Sequence, residues 1–88
     1  MSELRLPPAS DLREAILQIL VEFPDGASSS VIDQAVAEKL NLTSEQLSVI
    51  RSGNRTEFAY RLAWERTHAK NKGLIEKLGN RNWKLKKI

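Results

Sequence analysis

Six of the basic residues in the chain fall in one stretch, residues 51–73, RSGNRTEFAYRLAWERTHAKNKG, where Phe58, Tyr60 and Trp64 sit among them. Guanidinium, ammonium and hydroxyl groups in such density are suited to holding phosphate oxygens. Arg and Asn also match the edges of guanine and adenine. Other chemistries find little here. There is no cysteine, so no disulfide or thiolate–metal site. His68 is the one histidine. It has no carboxylate cluster to complete a zinc site and no acid or nucleophile beside it for catalysis. A place near a helix end suits it through the helix dipole. No catalytic, cofactor-binding or metal-binding residue is expected.

The net charge of +3 conceals a division. Residues 1–50 carry three Lys/Arg against eight Asp/Glu; residues 51–88 carry eleven against three. Positive potential therefore gathers on whatever the last third builds, and a polyanion, most commonly nucleic acid, is the natural partner. The competing explanation is a solvated basic surface with no partner. With 88 residues, 41% hydrophobic and 28% charged, the chain suits one small globular domain. No apolar run reaches the length of a membrane span and no signal-peptide pattern opens it, so a cytoplasmic location and no membrane partner are expected.

The elements that must position these residues follow from periodicity and capping. Residues 1–10, with Pro7 and Pro8, read as a flexible arm, and residues 11–88 as the domain. Asp11 with Glu14 forms a capping box before the helical stripe Leu12, Ala15, Ile16, Ile19, Leu20 and Phe23. Pro24 ends that helix and Asp25-Gly26 turns the chain. A brief edge strand follows at 27–29. Ser30 then caps a second helix with the stripe Ile32, Ala35, Val36 and Leu40. Thr43 with Gln46 marks a short helical segment. Ser52-Gly53 breaks the chain, Asn54 caps with Glu57 three residues on, and a long helix spans 55–72. Gly73 and Leu74 close it as a Schellman ending. Gly79-Asn80 joins two short strands into a hairpin, in which Trp83 and Leu85 alternate with Asn82, Lys84 and Lys86. The order is α+β: three main helices, a short helical segment and a C-terminal β-hairpin. That is the order of a winged helix-turn-helix, whose long helix enters the major groove with the hairpin as wing.

The run Ser52-Gly53, Thr56, Phe58, Arg61, Trp64, Arg66-Thr67, Lys70, Gly73-Leu74 resembles the N-terminal domain of Mrr-type restriction proteins. It keeps the pattern SGxxTxFxxRxxWxRTxxKxxGL without a gap, and Trp83 falls where that family places a wing aromatic. The resemblance covers most of the chain. It is specific in the second half and loose in the first, where helix placement and VAEKLNLT agree. It implies a winged helix set ahead of a separate nuclease of the PD-(D/E)xK class that cuts modified foreign DNA. Double-stranded DNA, modified or not, is then the expected partner, with a nuclease domain in cis or in trans. The sequence ends just after the wing, so a stand-alone reader and a domain of a longer protein are both open, and cleavage by these 88 residues is not expected.

Sorting the long helix by face puts Phe58, Leu62 and Ala69 inward, with Glu65 at the edge of that stripe. Thr56, Tyr60 and Thr67 fall opposite, flanked by Ala63 and Lys70, and form the expected DNA face. Asn54 and Arg55 lie at the tip, within reach of base edges. Arg51 and Ser52 precede them as backbone contacts. The hairpin adds Lys77, Asn80, Arg81 and Lys84, and its lysines also guard an edge strand. Trp64 stands off the Phe58 stripe and is expected to pack against the first or second helix, as an indole usually does. Arg61 would then stack on it or pair with an acid of the first half. Of two candidate aromatics for a base, Tyr60 faces the partner better. The alternative function is a winged helix that joins subunits, the acidic half of one copy meeting the basic half of another in a homodimer.

Overall fold

A computed structural model of the chain describes residues 6–53, 55–79 and 81–86, without the side chain of Ser52. The first apolar stripe becomes α1 (Ala9–Val21), which buries Leu12, Ala15, Ile16, Ile19 and Leu20. It begins two residues before Asp11. Pro8 is the cap, without a side-chain bond, and its carbonyl accepts from the amides of Asp11 and Leu12 at 3.0 and 3.1 Å. Proline lacks the N–H that a helix start would leave unused, so the earlier start has no cost in lost bonds. Asp11 lies instead in the first turn, where its carboxylate still faces the helix dipole favourably. Within the expected arm, Leu6 is buried in the core and Ala9 and Ser10 are already helical. Phe23 lies past the helix end and is exposed rather than in the core stripe.

Next come β1 (Ala27–Ser28) and α2 (Ser29–Lys39). The cap of α2 is Ser28, not Ser30: its hydroxyl accepts from the Val31 amide at 3.2 Å. Ile32 and Val36 are the buried residues of α2, with Ala35 and Leu40 packed against the core. The short helix α3 (Ser44–Ser48) carries the expected capping box in both directions, Gln46 amide to Thr43 hydroxyl at 3.1 Å and Thr43 amide to Gln46 carbonyl at 2.8 Å. Two strands that the sequence did not suggest follow, β2 (Ile50–Ser52) and β3 (Arg55–Thr56), paired antiparallel as a small hairpin. It folds the chain back immediately before α4 (Glu57–Asn71). The end of α4 is a full Schellman motif: Leu74 amide to Ala69 carbonyl at 2.9 Å, Gly73 amide to Lys70 carbonyl at 3.0 Å, and Gly73 at φ 76°.

The closing hairpin is β4 (Ile75–Leu78) and β5 (Asn82–Leu85). The three-stranded sheet runs β1-β5-β4, with Ala27 opposite Trp83 and Leu78 opposite Asn82, so β1 takes the expected edge position. The connection is therefore three residues, 79–81, rather than a two-residue Gly79-Asn80 turn, and Arg81 takes the left-handed conformation at φ 66°. The Arg81 carbonyl is held there by the amide and hydroxyl of Ser29, at 3.0 and 3.2 Å. The same hydroxyl accepts from the Trp83 indole N–H at 2.9 Å, so the one polar atom of that buried ring is satisfied. This α+β arrangement, four helices and a small antiparallel sheet ending in a hairpin, has the order of a winged helix-turn-helix.

What fixes α4 is a pair of consecutive buried charges. Glu65 is 5% exposed and Arg66 8%. Glu65, expected at the edge of the apolar stripe, is inside it and accepts from Arg13 Nε of α1 at 3.1 Å. Arg66 donates to Asp33 of α2, and its guanidinium lies 5.8 Å from the centre of the Trp83 ring. Adjacent helix positions point about 100° apart, so two pins to two different helices set the rotation of α4 about its own axis.

Removing one partner of a buried pair strands the other, so Asp33→Ala should cost about 2 kcal/mol, less than a fully buried pair because the Asp33 side chain keeps 23% exposure. Asp33→Asn keeps an acceptor for Arg66 and should stay within about 1 kcal/mol of wild type; denaturant unfolding measures both. Burial raises the pKa of Asp33 above its ordinary 3.8, against the lowering effect of Arg66. The folded state then holds the proton more tightly than the unfolded chain. The increment of stability linked to protonating Asp33, separate from its pairing with Arg66, should be fully present below 3.8 and lost as pH rises through the raised value, and Asp33→Asn should lack that segment of the stability profile. Gly26→Ala should cost about 2 kcal/mol by thermal unfolding, because Gly26 sits at φ 105° and an added Cβ would lie 2.9 Å from Leu78 Cδ1 and 3.1 Å from the Trp83 carbonyl.

Candidate functional site

With Phe58, Leu62 and Ala69 buried against the core as expected, the opposite side of α4 is left to solvent. The β2–β3 hairpin places Arg51 and Arg55 beside its first turns. Arg51 donates to Glu57 at 3.1 Å and lays its guanidinium over the Tyr60 ring, 3.9 Å from the centre. Arg61 donates to the other oxygen of Glu57 at 2.7 Å. Thus Arg61 pairs one turn back on its own helix and, among the described residues, neither stacks on Trp64 nor meets an acid of the first half. Arg61 and Arg51 together hold the Glu57 carboxyl below its ordinary range. Arg55 is exposed, lies 5.9 Å from the Tyr60 ring centre and forms no ion pair among the described residues.

Arg55, Tyr60, Ala63, Trp64 and Thr67 line one hollow of about 270 Å³ on this side. Trp64 corrects the expectation that it packs on the first or second helix: it is 48% exposed. Its ring meets Tyr60 edge-on at 6.4 Å and 68°, and His68 at 5.6 Å and 42°. Position 64 follows Tyr60 by four residues, one turn along the same side, and the inward stripe is already filled. That spacing was the available signal; the size of the indole argued the other way. His68 lies in the last turn, exposed, 3.6 Å from Glu65.

Two expected contacts are turned partly to structural use. Thr56, not Asn54, caps α4, its hydroxyl accepting from the Ala59 amide at 3.1 Å. Its chain is extended as the end of β3, which gives it the geometry a cap requires. Asn54 and Asn80 lie outside the described residues, as does the side chain of Ser52. The Thr67 hydroxyl donates to the Ala63 carbonyl at 3.0 Å, which leaves its oxygen as an acceptor for a partner. Lys70 is exposed in the last turn of α4. The remaining expected cations belong to the β4–β5 hairpin and not to the hollow. Arg81 and Lys77 are exposed there, Lys77 with its ammonium 5.7 Å from the Trp83 ring centre, and Lys84 is half-buried opposite Glu76.

Among the described residues no group of three or more His, Cys, Asp or Glu could hold a metal ion, and no helix is long and apolar enough to cross a membrane. A search of curated proteins and a search of solved structures each found no match. A family model described as the Mrr N-terminal domain matches residues 10–87, from the first turn of α1 to just beyond β5. The elements, the closing hairpin and that nearly complete match agree with the motif in 52–74, and the chain belongs to the Mrr N-terminal domain family.

Proposed function

We propose that the chain is the DNA-binding module of a Mrr-like restriction system, with α4 presented to the major groove and the β4–β5 hairpin beside it as wing. The observation that supports this most is the sorting of charge on α4 and its flanks. The acids Glu65 and Glu57 are both engaged by arginines, while Arg55, Lys70 and Arg81 stand exposed without an ion pair among the described residues. An interface for a polyanion is left cationic by that arrangement, as phosphate contact requires. Arg55 is the candidate for a guanine edge, and the hairpin cations for the flanking backbone. The family matched is an N-terminal domain rather than a nuclease domain, so binding rather than cutting is assigned to these residues. Cleavage is assigned to a nuclease domain in cis or in trans, and the place of action to the cytoplasm.

Affinity for duplex DNA should fall steeply between about 50 and 200 mM salt as counterions are released. Arg55→Ala should weaken the preferred sequence by roughly five- to a hundredfold and relax discrimination at one base pair, while Lys84→Ala should weaken all sequences alike and lower the salt slope by about one. Fluorescence anisotropy across a sequence panel at two salt concentrations reads both. Absence of binding at low salt, or equal losses for the two variants, would overturn the assignment.

A further inference from the structure

Trp64 is out of place for a helix that only reads base edges. A base inside a duplex offers its edge to the groove and hides its faces between its neighbours. An indole face has no use for such an edge, but it has for a base that has lost its stacking partners. We infer that the hollow beside Trp64 is a stacking site for a single unpaired nucleobase. This rests on the DNA-binding reading and adds a ligand class to it.

Four observations converge. The indole is 48% exposed, while the other large apolar side chains of α4, Phe58 and Leu62, are buried on its opposite side. Among the described residues the rings that meet it are Tyr60 and His68, at 68° and 42°, so neither stacks parallel on it. Tyr60 cannot serve equally, because Arg51 already covers one face at 3.9 Å. The hollow includes the small Ala63 among its lining residues and has a volume of about 270 Å³, room for one heterocycle.

The polar groups at its rim fit a nucleotide better than an apolar side chain. The Thr67 hydroxyl has given its proton to the Ala63 carbonyl, so its oxygen can accept from an exocyclic amino group. Arg55 stands at the rim, exposed and without an ion pair among the described residues, which suits it to a guanine edge in a matched duplex and to the phosphate of the unpaired nucleotide here. A purely apolar partner would leave both unanswered. The base can come from a single strand or from a nucleotide extruded from a duplex; the stacking chemistry is the same.

The test compares three DNAs with the full 88-residue chain: a matched duplex, the same duplex with one bulged base, and one of its strands alone. Tryptophan emission and affinity are read together. The bulged duplex should bind about tenfold tighter than the matched one and should quench emission. Quenching should vanish in Trp64→Phe, which assigns it to Trp64 rather than the buried Trp83. Trp64→Phe should keep most of the bulge preference, and Trp64→Ala should bring the ratio of bulged to matched affinity to about one. Trp64 is on the surface, so circular dichroism should show both variants folded. Quenching by the bulge alone assigns an extruded base; quenching by the strand alone assigns single-stranded DNA. Equal affinity for all three DNAs with no quenching would overturn the inference while leaving duplex binding intact. A matched duplex that does not bind at all, beside a strand that quenches Trp64, would overturn the duplex reading and leave the base site standing. Equal losses on all three DNAs in Trp64→Ala would also overturn it, making the ring a general contact.

Discussion

Two adjacent buried charges on α4 control what the rest of the molecule can present. A carboxylate and a guanidinium cannot be taken from water singly, so Glu65 and Arg66 must each find an opposite charge on another helix. Arg13 of α1 and Asp33 of α2 supply them. Apolar burial is non-directional and constrains the rotation of α4 only through packing. Two directional pairs about 100° apart constrain it directly. The rotation they permit is the one that buries Phe58, Leu62 and Ala69 and turns Tyr60, Trp64 and Thr67 outward. Arg66 further ties α4 to the closing hairpin through the Trp83 ring, so helix and hairpin are referred to one guanidinium.

The pairing has a consequence for the surface. The acidic first half is not simply a counterweight to the basic second half. One of its acids, Asp33, and one of its few cations, Arg13, are spent on holding α4 in place. Glu57 takes two more arginines on the outer side and stiffens them against the first turn of the helix. Among the described residues, cations without an ion pair stand at the tip of α4, at its last turn and on the hairpin. That is a small number of contacts, and it favours a binding mode in which position matters more than total charge.

Much of this was legible from the sequence, because local signals and the tertiary fold agree over most of the chain. The stripe in α1, the Thr43–Gln46 box, the Schellman ending at Gly73 and the inward face of α4 all depend on neighbours within a turn or two. The differences have more than one origin. Helix starts moved because Pro8, Ser28 and Thr56 took the caps expected at Asp11, Ser30 and Asn54; Ser28 also ends β1, whose partner is the distant β5, and Thr56 ends β3, which pairs with its neighbour β2. The β2–β3 hairpin is two to three residues a strand, too short for alternation to show. Glu65 read as an interruption of the core, because nothing near it in sequence announces Arg13, 52 residues away. Trp64 was misplaced for a different reason. Its size favours burial while its angle on the helix favours solvent, and a large ring left outside is the kind of departure expected where a partner binds.

The central claim is that the outer side of α4, and not the acidic helices, meets DNA. Backbone and indole chemical-shift mapping during titration with a short duplex tests it most directly. The account predicts shifts at Arg55, Tyr60, Thr67 and Lys70, with smaller ones at Lys77 and Arg81 and little change along α1 and α2. Shifts concentrated on α1, α2 or α3 with Arg55, Tyr60, Thr67 and Lys70 unmoved would contradict it.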